Sequence, residues 1–107
     1  MTITDEIAAE RVRQMAQWGE QNHPSAFLGD PDKVCVAHGL PTEAKAKERY
    51  EARASAGTGT WADIAVEELS EAVAAAAEGD IAAARGELVQ TAAVLEAWIE
   101  SIDRNGT

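Results

Sequence analysis

Twenty-three of the 107 residues are alanine, nearly half of the apolar total. A core built from so small a side chain is thin. It favours helices that pack with their backbones close together. A chain of this length is one domain, spanning residues 1–107, and buries only about two-thirds of its unfolded surface. The extra burial is expected from a partner subunit. Aromatic residues make up 5%, and apolar residues do not alternate, so a β-sandwich or barrel is excluded. The fold class expected is all-α: an antiparallel bundle of about four helices per chain, completed by oligomerisation.

The charge is −10 overall, which argues against a nucleic-acid polymer as partner. Residues 61–107 carry −8 of it and residues 1–60 only −2. Clustered carboxylates suit a hard divalent cation. No apolar run is long enough for a membrane span, and the early Asp5 and Glu6 are unlike a signal peptide. Cys35 is the single cysteine, which fits a cytoplasmic location and leaves no disulfide framework.

Four helical segments are predicted. The first covers Thr4 to Trp18, with Ile7, Ala8, Val12, Met15 and Trp18 on one side; Thr2 with Asp5, or Thr4 itself, can cap it. Residues 20–41 contain all three prolines, fit no period, and are expected to form an irregular loop. Residues 42–56 form a polar helix carrying Lys45, Lys47, Arg49 and Arg53. Glycines follow it and the loop precedes it, so it could move as a lid. Thr60-Trp61-Ala62-Asp63 begins the third helix as a capping box. Gly79-Asp80 joins it tightly to the fourth, giving an antiparallel hairpin.

On a helical wheel, Ile64, Trp61, Ala65, Ala72, Leu69, Val73 and Val66 form one apolar arc of the third helix. Glu68 falls inside that arc, Glu71 lies beside it, and Glu67 is at its edge. In the fourth helix Glu87 lies between Val94 and Trp98, with Thr91 alongside and Gln90 at the rim. Like charges three or four residues apart destabilise a helix, and an acid in an apolar seam costs more. No base lies between Trp61 and Gly79 to offset this. Two helices that independently place an acid in the apolar arc point to a site holding a cation.

Glu67-Glu68-Leu69-Ser70-Glu71, followed after 15 residues by Glu87-Leu88-Val89-Gln90, resembles the EExxE…ExxD signature of the MazG-like all-α nucleoside triphosphate pyrophosphohydrolases. Gln17-Trp18-Gly19 with Gln21-Asn22-His23-Pro24, and the segment from Glu87 to Glu100, are also similar to small MazG-like proteins. The resemblance covers about two-thirds of the chain. It implies Mg²⁺- or Mn²⁺-dependent hydrolysis of a nucleoside triphosphate between the α and β phosphates, giving the monophosphate and pyrophosphate. It implies a homodimer or homotetramer. By position, Glu68, Glu71 and Glu87 would be metal ligands, and Glu67 would ligate or orient the attacking water. Catalysis would then fall to Glu67 and Glu68. The family's last acid is here Gln90, which can offer an oxygen but no charge; Asp63 or Glu67 could substitute for it.

A triphosphate approaching so acidic a chain needs positive company. Lys45, Lys47, Arg49 and Arg53 are the candidates, then Arg85. They could equally balance Glu43, Glu48 and Glu51 at helical spacing. Trp18 and Tyr50 could stack on a base, and His23 could contact base or phosphate. Trp61 and Trp98 read as core residues.

Overall fold

The computed structural model describes residues 1–107. It is entirely helical: α1 (Ile3–Trp18), α2 (Pro31–Ala37), α3 (Glu43–Ser55), α4 (Trp61–Ala77) and α5 (Ile81–Asn105). The caps are those the residue types favour. Thr2 caps α1 in a capping box with Asp5, both hydrogen bonds 3.1 Å long. Thr60 and Asp63 do the same for α4. Thr42 accepts from the Lys45 N–H at the start of α3, and Asp80 from the Ala83 N–H at the start of α5.

The α4–α5 hairpin is the spine. Glu78, Gly79 and Asp80 alone separate the two helices. Gly79 has φ 78°, a conformation open to glycine and costly for other residues. Ala72, Ala76 and Ala84 are buried; methyl side chains let helix backbones approach closely. α2 and α3 pack against α4, and α1 lies against α5. α1 buries no residue. It is held by the Thr4 hydroxyl, which donates to Glu96 at 2.9 Å, and by Ile3 and Ile7 beside Ile99.

The structure corrects one expectation. Residues 20–41 are not irregular throughout, because Pro31–Ala37 is a short helix. Pro31 at its first turn has the right φ and lacks an N–H that would go unpaired. Val34 and Cys35 are buried, and the Cys35 thiol donates to the Ser70 carbonyl of α4 at 3.5 Å. Two turns flanked by glycine are too short for a period to show. Tertiary burial forms this helix.

Only 11 residues are buried, and six of the eight apolar ones are alanine. The accessible surface is 7313 Å², against about 5,700 Å² for a compact monomer of this mass. The radius of gyration is 15.5 Å, against about 13 Å for a compact domain of this length. The excess surface is apolar in part. Ile7, Val12, Met15 and Trp18 on α1 and Leu88, Leu95, Ile99 and Ile102 on α5 are all exposed. No helix is long and apolar enough to cross a membrane.

Candidate metal centre

Glu68 and Glu71 stand one turn apart on α4, and Glu87 stands opposite them on α5. Each offers a carboxylate oxygen, and the three oxygens lie within 4.8 Å of one another. The helical period puts the first two on one stripe; the tight Gly79 turn brings the third into register. All three side chains are half-buried.

Two oxygens, Glu68 Oε2 and Glu87 Oε2, are closed off from solvent and accept no hydrogen bond. Such orphaned acceptors carry a desolvation penalty of about 1–3 kcal/mol each. The protons respond to that environment. Burial pushes the Glu71 carboxyl up to about 7, reinforced by Glu87 opposite it and by the charges of Glu68 and Glu67. Burial also raises Glu68, with the Glu87 and Glu67 charges adding to it. The three ion pairs of the chain are Arg13–Glu10, Lys45–Glu48 and Arg53–Asp63. None of them reaches the cluster.

The donor set is hard oxygen throughout, which suits Mg²⁺ or Mn²⁺. Ligands about 2.1 Å from an octahedral ion stand up to roughly 4.2 Å apart. A spread of 4.8 Å closes to that with small side-chain adjustments. A cation would pair with the orphaned oxygens and displace the proton that Glu71 retains. The residues present therefore fit such an ion.

The other residues expected at the site fall elsewhere. Glu67 is half-buried at the edge, contributing charge to the cluster without joining the converging oxygens. Gln90 is exposed, one turn beyond Glu87 on α5. Two bases of α3, Arg49 and Arg53, meet a different face of α4. Asp63 receives Arg53, Val66 lies with Ala46 and Arg49 at one small cleft, and Ser70 donates to the Pro41 carbonyl at 3.1 Å. These three positions share one face of α4. Glu71 and Glu68 lie roughly 80–140° round the helix from Asp63. Lys45 pairs with Glu48 at 3.7 Å. So α3 is docked along α4, with Arg49 and Arg53 on a face of α4 other than the stripe of Glu68 and Glu71. Trp18 is 55% exposed at the end of α1. His23 is exposed and lines a polar groove with Arg11 and Gln14, also away from the cluster.

Trp61 and Trp98 are half-buried. Trp61 lines a cleft with Tyr50, a pairing that sequence spacing alone does not reveal because the two sit on different helices. Against models of protein families, curated proteins and solved structures, the chain matches none.

Proposed function

We propose that the chain is a divalent-cation-dependent hydrolase of nucleoside triphosphates, related to the MazG-like pyrophosphohydrolases. The observation that carries this reading is the convergence of Glu68, Glu71 and Glu87, with two buried oxygens left unpaired. A structural cluster would be cheaper with fewer acids or with an arginine beside them. Glu68, Glu71 and Glu87 would hold Mg²⁺ or Mn²⁺. When bound, the ion neutralises phosphate charge and aligns the triphosphate.

In the reaction, a water oxygen bonds to the α-phosphorus, and the bond to the α,β-bridging oxygen breaks. The electron pair leaves with pyrophosphate. Glu67, at the edge of the cluster, would accept a hydrogen bond from that water, orient it and take up the proton it loses. The half-buried position of the glutamates limits competing solvent. The reading places the enzyme in the reducing cytoplasm.

A second copy of the chain would cover the α1–α5 face. About 1,600 Å² of surface beyond that of a compact monomer is what one partner gives up in a large, obligate interface. Dimer and tetramer are both compatible with such a face.

The test is a pyrophosphate-release screen over canonical, deoxy and modified triphosphates with Mg²⁺ or Mn²⁺. Release from at least one, lost in Glu68→Gln, supports the reading. Gln90, an exposed amide where the resemblance expects an acid, favours a second reading: a metal- or nucleotide-binding module, or a helical interaction scaffold, without turnover. Mn²⁺ binding with no pyrophosphate from any substrate would select the module. No Mn²⁺ binding would select the scaffold.

A further inference from the structure

A cleft of about 430 Å³ opens where α3 turns into α4, lined by Tyr50, Gly57, Gly59, Thr60, Trp61 and Ile64. Its size is within the range of small-molecule sites. We propose that this cleft takes a flat aromatic ring, the base of a nucleotide whose phosphates lie at Glu68, Glu71 and Glu87. The proposal rests on the reading given above and adds to it where the base sits.

Three observations support it. The first is alignment. Trp61, Ile64, Glu68 and Glu71 follow one another by three, four and three residues, so they form one stripe along α4. At the helical rise, Glu68 lies about 6 Å beyond Ile64 and about 10 Å beyond Trp61. A sugar and its first phosphates bridge such a gap between a base and the metal-bound end of a nucleotide.

The second is the lining. Tyr50 and Trp61 are half-buried aromatic residues from two helices, and rings of this kind bind bases by stacking. Gly57 has φ 74°, which the turn requires, and a Cβ at that position would meet only open space. That wall of the cleft is therefore backbone, leaving room for a ring.

The third is that the nearby polar groups are already committed. The Thr60 hydroxyl bonds Asp63, Asp63 also receives Arg53, and the Thr58 hydroxyl donates to the Arg53 carbonyl at 3.3 Å. No charged side chain lines the cleft. That suits the uncharged face of a base and not a phosphate.

The test is calorimetric titration of the full chain with the α,β-imido analogues of ATP, GTP, CTP and UTP in Mg²⁺, run beside a Mn²⁺ titration. At least one analogue should bind the wild type. Tyr50→Ala and Trp61→Leu should each weaken it by about tenfold or more. Trp61→Phe, which keeps a ring, should stay within about threefold. Mn²⁺ affinity should be unchanged in all three, which also reports that the fold is intact. Unchanged analogue affinity in Tyr50→Ala and Trp61→Leu overturns the cleft and leaves the metal centre standing. So does a wild type that binds Mn²⁺ but none of the analogues. A wild type that binds no Mn²⁺ overturns the metal reading and this proposal together. If Trp61→Leu also loses Mn²⁺, Tyr50→Ala on the polar helix α3 decides.

Discussion

Glu71 of α4 and Glu87 of α5 face each other across the hairpin, with a carboxylate oxygen of each in a group of three that lie within 4.8 Å of one another. Burial, with Glu87 and two further glutamates beside it, pushes the Glu71 carboxyl up to about 7. That juxtaposition links the fold of the hairpin to the chemistry it can carry.

Metal affinity should therefore rise with pH. The cation and the retained proton compete for the same oxygens. Mn²⁺ binding measured by calorimetry should tighten between about pH 6 and 8 and flatten above that. It should release protons in the lower part of the range, seen as a heat that depends on the buffer. Affinity independent of pH would contradict a protonated Glu71.

The stability of the metal-free protein should run the opposite way. Glu71 and Glu68 are both raised in the folded state, so folding is favoured while they are protonated. That contribution is present below the unfolded carboxyl value, near 4.5. It is lost as pH climbs through the folded value, about 7 for Glu71. Denaturant melts at pH 5.5 and 8 should show a lower midpoint at the higher pH without metal. Saturating Mn²⁺ should shrink the difference.

Glu71→Gln should separate stability from function. At pH 8, above the Glu71 value of about 7, removing one charge from the cluster relieves repulsion, so the melting temperature of the metal-free variant should rise by a few degrees. Mn²⁺ binding should fall at least about tenfold, and any turnover with it. A variant that melts lower and binds Mn²⁺ as the wild type does would sink the account of the cluster.

The exposed apolar face of α1 and α5 should make the chain associate. Light scattering should give at least twice the 11.3 kDa of one chain, and the melting temperature should climb with protein concentration. Met15→Asp with Leu95→Asp places charges on that face and should shift the mass towards one chain. A wild-type monomer at micromolar concentration, with a melting point independent of concentration, would show that the face stays open.

Asp63→Ala should lower the melting temperature by several degrees. Asp63 closes the Thr60 capping box and receives Arg53, so one side chain fastens α4 to α3. The exposed half of that ion pair adds little; the cap carries most of the loss. Thermal denaturation reads it directly, and an unchanged melting temperature would show that the box is dispensable.

Four of the five helices, most of their caps and the angular position of each side chain along them follow from local sequence, because these depend on neighbours within four residues. The arcs that contain Glu68 and Glu87 follow from the 3.6-residue period, and the hairpin follows from Gly79-Asp80. What each arc faces depends on how the helices pack against one another. Pro31–Ala37 is helical because Val34 and Cys35 are buried against α4, a contact across 35 residues that no local period reports. The bases of α3 fit a phosphate-binding lid by composition, and it is packing on α4 that sets Arg49 and Arg53 beside Asp63 and Val66. Gln90 keeps its helical phase, one turn beyond Glu87, and lies exposed on α5. Trp61 reads as core from its arc and instead meets Tyr50 at an open cleft. Phase along a helix is a local property; the partner that fills it is set by which helices the whole chain can bring together.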